Sequence, residues 1–421
     1  MIIRVSKSAL FGKVRIPASK SHSIRAVFLA TLAQGVSKIH NRLQSADVDS
    51  AIVACRGFGA SIEESGDTLT VTGTNGTLSP KVDEIDVGNS GTTANFVLSM
   101  AALSPKPVTI TADEQTRKRP VLPLLRTLEQ LGATIVSTNG GKLPVRLHGP
   151  MKGGGADVNG STSQYLSSVL IHSPFCAEGT TLRLESLNEK PYVDMTLDWM
   201  KKLGVVVEQK NYDEFFVPPR QTYKSFESDI PGDFSTSAFF FIAAALPKSE
   251  VDLEGLDMHD VQGDKEIVNY LKFMGADIEA GETFKVSGKL LTGREIDLNA
   301  TPDALPAMAV AACLAKGTTR LTNVPQARIK ETDRIAVMAA ELKKMGADIT
   351  EEEHGLLING GRPLKGAALD GHYDHRVVMS LAVAGMAAEG ETTITTAEAI
   401  NITFPNFVEF MKNCGAKIGV E

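Results

Sequence analysis

One short pattern, an amphipathic segment that ends in a glycine, recurs six times along this chain at intervals of 69 to 73 residues. The six glycines, mostly followed by alanine, are Gly59, Gly132, Gly204, Gly275, Gly346 and Gly415. An apolar helix and a short strand precede each amphipathic segment, and a strand pair with hairpin character follows it. The recurrence predicts six βαβαββ units of about 70 residues, each too small to bury both of its helices alone.

The first helix of each unit carries small apolar residues on nearly all sides, which predicts a buried position. These predicted helices span residues 24–33, 93–103, 163–175, 235–246, 305–315 and 377–388. Six buried helices favour an α/β protein of two domains, each with three units and its sheets outside. Turn residues near 17–19 and 228–232 give the boundaries: residues 1–18 plus 232–421 in one domain and 19–231 in the other. The chain's first strand is expected to complete a unit at the other end.

Composition narrows the class of function. The chain has 421 residues, 43% of them hydrophobic, and a net charge of -7, which argues against nucleic acid as the main partner. The four cysteines lack metal-ligand or redox spacing, so we expect reduced thiols in a cytoplasmic protein. No leader sequence is evident, and no apolar run is long enough to span a bilayer. No metal or cofactor motif is present, so we expect neither.

Cations recur at or beside the predicted helix starts, where the helix dipole disfavours them. They are Lys20, Arg25, Lys330, Arg334 and Arg376, with Arg119 in a basic loop. A capped helix or a solvated loop explains each one singly. Together, on helix ends that the repeat architecture can gather, they predict a pocket for a polyanion.

The segment 328–349 contains both the repeated amphipathic helix and cations near a predicted helix start. Its second half is an amphipathic helix that Gly346 should end. In its first half, Lys330 and Arg334 are four residues apart and are expected to share a helix face, where like charges repel. Glu331 and Asp333 can neutralise them, which would make the segment a solvated charged turn. An anion bound between the cations is the second interpretation.

Other helix starts carry polar groups with two interpretations each. The turn 88–93 is glycine-rich and suits an anion, although such turns are common. The hydroxyls and amide of 161–165 suit a polyhydroxylated ligand, and helix capping explains them equally well. Asp233 and Ser235 are interpreted as caps. Asp303 follows Thr301 and Pro302 in a regular helix start, yet a carboxylate at the mouth of a buried helix is also a candidate general base.

The ordered motifs across the chain resemble the enolpyruvylshikimate phosphate synthase family. They are S-K-S at 19–21 with Arg25, G-N-S-G-T at 88–92, Arg119-Pro120, Ser163-Gln164, P-G-D at 231–233, R-I-K-E-T-D-R at 328–334, D-H-R at 374–376 and T-F-P at 403–405. The resemblance implies a two-domain inside-out α/β barrel of six βαβαββ repeats, three per domain. It also implies an active site in the cleft between the domains.

The family reaction transfers the enolpyruvyl group of phosphoenolpyruvate to the 5-hydroxyl of shikimate 3-phosphate through a tetrahedral intermediate, without metal or cofactor. The resemblance implies catalytic roles for Lys20, Asp303 and Glu331. It assigns shikimate 3-phosphate to Lys20, Ser21, Arg25, Thr162, Ser163, Gln164, Asp303, Gln326 and Lys330. It assigns phosphoenolpyruvate to Lys20, Asn89, Gly91, Arg119, Gln164, Arg334 and Arg376. The resemblance places the residues on the shikimate 3-phosphate side in the domain 19–231 and those on the phosphoenolpyruvate side in the discontinuous domain. We also expect a cytoplasmic monomer.

The chain departs from the family pattern at five positions. Ile402 stands where some members have lysine, Asn95 where many have arginine, and Phe96 where proline is frequent; Gln326 replaces Asn or Glu, and Glu189 replaces a serine.

A sister enolpyruvyl transferase, which acts on UDP-N-acetylglucosamine, is the nearest competing interpretation. It has Lys-Asn at the Lys20-Ser21 position and a cysteine near Arg119, and this chain has neither. A catalytically silent repeat scaffold would explain the six units but not the recurring cations. An RNA-end cyclase on a related fold is disfavoured by the acidic balance of the chain.

Overall fold

The computed structural model describes all residues from Met1 to Glu421 and forms two compact units. Unit 1 contains Met1–Ser19 and Pro231–Glu421, and unit 2 contains Lys20–Ile230. These bounds differ by one residue at each crossing from those expected from the sequence. The assignment of one substrate side to each unit stays a prediction.

Each unit contains three four-stranded sheets with the same topology, in which one outer strand is parallel to its neighbour and the other pairs are antiparallel. The sheets of unit 1, in spatial order, are Ala368–Asp370, Glu391–Thr395, Ile3–Ser6, Lys417–Val420; Phe11–Arg15, Glu250–Glu254, Phe284–Ser287, Asp277–Ala280; and Glu295–Asp297, Gly317–Thr322, Gly355–Gly360, Asp348–Glu352. Those of unit 2 are Glu227–Asp229, Val36–His40, Thr68–Thr72, Ser61–Ser65; Glu84–Asp86, Val108–Thr111, Val145–His148, Thr134–Val136; and Gly154–Asp157, Thr180–Arg183, Glu214–Val217, Glu208–Lys210.

The helices alternate between a buried and an amphipathic type, as the repeat predicts. The buried helices are Lys20–Leu32, Gly91–Leu103, Ser163–His172, Phe234–Ala244, Leu305–Leu314 and His375–Ala387. The amphipathic helices are Ala46–Gly57, Leu122–Gln130, Lys190–Lys202, Glu266–Phe273, Arg334–Lys344 and Phe407–Asn413. A short helix, Glu114–Arg117, and five 3-10 turns complete the set: Ser173–Phe175, Gly263–Lys265, Pro302–Ala304, Pro325–Ile329 and Ala397–Ile402. The predicted α/β class and repeat architecture are confirmed. No helix is long and apolar enough to cross a membrane.

The repeated glycine has one structural role in all six units. Each of the six residues has a positive φ, between 86° and 108°, and lies two positions after the last residue of its amphipathic helix. At Gly346 the glycine N–H donates to Lys343 O at 2.9 Å, and the next N–H, of Ala347, donates to Leu342 O at 3.1 Å. This is the Schellman arrangement, which satisfies the last carbonyls of the helix and favours glycine because a Cβ is disfavoured there. The predicted helix stop is therefore confirmed.

Strands from distant parts of the chain close both units. Ile3–Ser6 lies between Glu391–Thr395 and Lys417–Val420, so the first strand completes the sixth repeat as predicted. Phe11–Arg15 pairs in parallel with Glu250–Glu254 and opens the fourth repeat. In the same way, Glu227–Asp229 pairs with Val36–His40 in the first repeat. The last two exchanges were not foreseen from the sequence.

Candidate active site

Three helix starts of unit 1 bring opposite charges together around Asp303. Its carboxylate accepts a hydrogen bond from Arg334 Nη1 at 2.8 Å and lies 3.2 Å from Arg376 Nη2 and 3.6 Å from Lys330 Nζ. Asp303 belongs to the turn before Leu305–Leu314, whereas Arg334 and Arg376 stand in the first turns of their own helices. The repeat architecture therefore gathers residues that are 73 positions apart in sequence into one cluster.

Arg334 is the centre of this cluster. Its side chain is 1% exposed, and its Nε and Nη2 donate to the two carboxylate oxygens of Asp374 at 2.8 and 3.2 Å. Its Nη2 also donates to Glu331 at 2.5 Å. Burial lowers the pKa of Arg334, but the carboxylates of Asp374, Glu331 and Asp303 outweigh it and raise that pKa above its usual range. The three carboxylates together engage all three nitrogens of the Arg334 guanidinium.

Asp303 is ionised in this arrangement. Burial raises the pKa of its carboxyl group, but Arg376, Lys330 and Arg334 together outweigh burial and hold the pKa well below its usual range. A carboxylate in that environment is a weak proton acceptor. Its basicity therefore depends on how closely these cations approach it.

One prediction about the segment 328–349 is wrong. Lys330 and Arg334 do not share a helix face, because the helix begins only at Arg334 and Lys330 precedes its N-cap. The N-cap is Asp333, whose carboxylate accepts from Ala336 N at 3.1 Å and also from Arg328 Nη1 at 2.7 Å. Because capping by Asp333 starts the helix at Arg334, Lys330 lies outside the helix and approaches Asp303 from the preceding segment.

Gln326 lies in the turn before this segment and is 2% exposed. Its Nε2 donates to Asn299 O at 2.9 Å, while its Oε1 is buried and accepts no hydrogen bond. This orientation ties Gln326 to a neighbouring loop. The Oε1 atom is therefore a buried acceptor without a partner in the protein.

In unit 2, the first helix presents two buried or half-buried cations. Lys20 Nζ lies 2.9 Å from Asp47 Oδ2, whereas the Arg25 guanidinium donates to Thr196 Oγ1 at 2.9 Å and to the carbonyls of Ser21 and Tyr192 at 3.1 and 3.0 Å. No carboxylate neutralises Arg25. Burial lowers its pKa to about 10. A buried guanidinium held only by neutral acceptors is a favourable place for an anion.

At the start of the helix Ser163–His172, two of the predicted substrate-binding residues already form hydrogen bonds with a side chain of unit 2. One oxygen of Glu189, Oε2, accepts from Thr162 Oγ1 at 3.0 Å, Ser163 N at 3.0 Å and Ser163 Oγ at 2.7 Å. Gln164 accepts from Asn95 Nδ2 at 2.7 Å and donates to Thr92 Oγ1 at 3.2 Å. The capping interpretation of Thr162 is confirmed by its bond from Gln164 N at 3.4 Å.

The glycine-rich turn is packed against the basic loop. A Cβ on Gly91 would lie 2.1 Å from Arg119 Nη1, so only glycine permits this position of the guanidinium. Asn89 Nδ2 donates to Asp113 and Gln115 at 2.7 Å each, so the amide nitrogen is engaged within the protein. Ser90 caps the helix by accepting from Thr93 N at 3.4 Å.

Comparison with known proteins shows which family this chain belongs to. Residues 5–411 match the family model described as EPSP synthase (3-phosphoshikimate 1-carboxyvinyltransferase). The chain belongs to the EPSP synthase family. It is 53% identical to a 3-phosphoshikimate 1-carboxyvinyltransferase of Acetivibrio thermocellus, over 99% of both chains, and 45% identical to one of Methanocella arvoryzae, over 100% of both. A solved EPSP synthase of Acinetobacter baumannii is similar with a TM-score of 0.85 and 27% identity, covering 100% of this chain and 99% of that one.

Several residues of this EPSP synthase family member were not foreseen as parts of the site. Asp47 pairs with Lys20 and Thr196 binds Arg25, whereas Asp374 both caps its own helix and forms an ion pair with Arg334. An aspartate directly before a helix is a typical N-cap, and Asp374 accepts from Arg376 N at 2.9 Å. Its second partner lies 40 residues away in the chain, and no local pattern indicates it.

Proposed function

We propose that this chain transfers the enolpyruvyl group of phosphoenolpyruvate to the 5-hydroxyl of shikimate 3-phosphate, releasing phosphate. Family membership over residues 5–411 supports the reaction. The observation that carries the proposal is the ring of Lys330, Arg334 and Arg376 around Asp303. Such a ring suits a reaction in which both substrates carry a phosphate and a carboxylate while one hydroxyl must lose a proton.

We infer that the two cationic sets serve different anions. Arg25, with Lys20 and Ser21, would bind the carboxylate of shikimate 3-phosphate, because this buried guanidinium has no carboxylate partner of its own. Gly91, Arg119, Arg334 and Arg376 would bind phosphoenolpyruvate. Bidentate arginine contacts suit its phosphate and carboxylate groups.

The addition step needs one proton removed and one supplied. We propose that Asp303 accepts the proton of the 5-hydroxyl while that oxygen attacks C2 of phosphoenolpyruvate. A proton is added to C3, for which Glu331 and Lys20 are the candidate donors, and the product is a tetrahedral ketal phosphate. In the elimination step C3 loses a proton, the C2–O bond to phosphate breaks, and the arginines stabilise the charge on the departing phosphate.

Substrate anions would also activate the base. In the ligand-free cluster, Arg376, Lys330 and Arg334 hold the pKa of Asp303 low. When phosphoenolpyruvate and shikimate 3-phosphate attract those cations, the carboxylate loses part of its stabilisation and its basicity rises. Asp303 would therefore become an effective proton acceptor only with substrates in place.

The test is phosphate release with each substrate alone and with both. Release that requires phosphoenolpyruvate and shikimate 3-phosphate together is the expected result. Release with UDP-N-acetylglucosamine as the only acceptor would overturn the assignment in favour of the sister transferase. We further propose a monomer in a reducing, cytoplasmic compartment, in keeping with four buried free thiols, and light scattering would measure the subunit number.

A further inference from the structure

Glu189 occupies the place where an anionic ligand of unit 2 would be expected. Glu189 is 1% exposed, and one of its carboxylate oxygens accepts from three donors at the start of the helix Ser163–His172. A backbone N–H and two hydroxyls converging on one oxygen form the kind of anion site that phosphate oxygens also use. Thr162 and Ser163, which the family resemblance assigns to shikimate 3-phosphate, are therefore engaged by the protein itself.

The backbone at Glu189 has a conformation that needs support from its surroundings. Glu189 has φ 58° and ψ 38°, in the left-handed region that residues with a Cβ seldom adopt. Such a conformation persists only where surrounding contacts hold it in place. Here Glu189 directly precedes the helix Lys190–Lys202, which carries the Tyr192 carbonyl and Thr196 hydroxyl that hold Arg25. Glu189 therefore directly precedes the same helix whose residues hold Arg25.

We propose that Glu189 is an internal competitor for the phosphate of shikimate 3-phosphate and so determines the affinity of this enzyme for that substrate. The inference rests on the proposed function. The phosphate must displace the carboxylate, because two anions cannot share the Thr162 and Ser163 donors without mutual repulsion. The competent form, with Glu189 turned away, is then only a fraction of the free protein, and the apparent dissociation constant rises by the inverse of that fraction.

The test compares Glu189→Gln and Glu189→Ser with the wild-type enzyme. Glutamine keeps the shape and one acceptor oxygen without the charge, whereas serine removes the competitor entirely. Shikimate 3-phosphate binding is measured by titration calorimetry, and the KM for both substrates by phosphate release. If Glu189 holds the donors about nine-tenths of the time, the serine variant binds shikimate 3-phosphate about tenfold more tightly. The glutamine variant shows a smaller gain, and the KM for phosphoenolpyruvate stays within twofold.

Glu185→Gln is the matched control, since Glu185 is exposed and four residues from Glu189. It removes the same charge without touching the donors and should leave affinity unchanged. Equal or weaker binding of shikimate 3-phosphate by both Glu189 variants would overturn the proposal and make Glu189 a supporting contact. Should the serine variant fail to fold, the glutamine variant decides alone. A wild-type enzyme that does not bind shikimate 3-phosphate would instead refute the proposed function.

Discussion

The buried ion pair between Arg334 and Asp374 joins the start of one helix to the start of another. Arg334 Nε donates to Asp374 Oδ2 at 2.8 Å, and the side chains are 1% and 0% exposed. Asp374 also caps its own helix through bonds from Arg376 N and Val377 N. The same carboxylate therefore fixes the positions of two arginines assigned to phosphoenolpyruvate.

Asp374→Asn should destabilise unit 1 strongly at neutral pH. Loss of one partner leaves Arg334 buried with less compensating charge, which costs about 3–5 kcal/mol in buried pairs. The folded protein lowers the pKa of Asp374, against burial, chiefly through Arg334, so its stabilisation is present above the unfolded pKa. That stabilisation is lost as pH falls below about 4, where the unfolded carboxyl binds a proton. Urea unfolding at pH 7 and pH 3 should show a difference from wild type that shrinks in acid.

The control for this variant is Asp277→Asn, since Asp277 is exposed in a surface strand. It should change the free energy of unfolding by less than about 0.5 kcal/mol. An Asp374→Asn protein as stable as this control would contradict the role assigned to the pair.

Asp303→Asn should separate catalysis from binding. Loss of a positioned base typically lowers kcat by about 10²–10⁴-fold. The KM for phosphoenolpyruvate should not rise, because asparagine leaves Lys330 and Arg376 with less competing negative charge. Steady-state phosphate release, with circular dichroism to verify folding, measures both effects. Wild-type kcat in this variant would remove Asp303 as the proton acceptor.

Glu331→Gln addresses whether this residue moves a proton or only positions Arg334. Glutamine retains an acceptor for Arg334 Nη2, so the cluster should stay assembled, but it cannot transfer a proton. We expect kcat to fall by about 10²-fold or more. The uptake of deuterium from D2O into the C3 position should slow in parallel. Full activity in Glu331→Gln, combined with loss in Glu331→Ala, would indicate a positioning role.

Gly91→Ala should weaken the binding of phosphoenolpyruvate and leave the binding of shikimate 3-phosphate unchanged. The new methyl group would overlap the Arg119 guanidinium, whose Nη1 lies 2.1 Å from that position, and the flexible side chain must move away. We expect the KM for phosphoenolpyruvate to rise about tenfold, equivalent to about 1.4 kcal/mol, with shikimate 3-phosphate affinity unchanged. Gly419→Ala is the control, since nothing lies within 4 Å of its Cβ position. An unchanged KM would mean that Arg119 does not bind this substrate.

Arg25→Gln should weaken the binding of shikimate 3-phosphate. Truncating a buried charged contact to a ligand costs about 2–5 kcal/mol, so the KM for shikimate 3-phosphate should rise by about 30-fold or more. Arg183→Gln is the matched control, because Arg183 is exposed and pairs with Glu214 at the surface. Calorimetric titration of both variants gives the comparison. Equal affinities would show that Arg25 is a structural cation held by Thr196 and Tyr192.

Local chemistry in the sequence predicts much of the fold. Gly346 and its five counterparts indicate where each amphipathic helix ends, because a positive φ at that point favours glycine. The apolar periodicity places the six buried helices within a few residues of their observed ends, except for the first, which starts at Lys20 rather than 24. The exchanged strands Phe11–Arg15 and Glu227–Asp229 escaped prediction, since alternation reveals a strand but not its partner.

Side-chain partners in the candidate site are harder to predict. Asp47 and Lys20, 27 residues apart, meet only once two helices have packed. Glu189 stands out in the sequence only as a departure from a family pattern, and its bonds to Ser163 depend on the turn conformation that the finished unit imposes. The predicted position of Lys330 is wrong because four-residue spacing indicates a shared helix face only within one helix, whereas Asp333 delays the helix start.

The closing strand at the N-terminus has a consequence for biosynthesis. All strands of unit 2 lie between Val36 and Asp229, so that unit can fold while the ribosome is still translating unit 1. Ile3–Ser6 must instead wait for Lys417–Val420, which at typical elongation rates is about 20–80 s with its edges unpaired. Met1 and Glu421 nevertheless end as neighbours, because Ile2 and Glu421 exchange backbone hydrogen bonds of 3.0 and 2.9 Å. A circular permutant beginning at Lys20, with a short linker from Glu421 to Met1, would synthesise the closing strand after its partners and remove that delay.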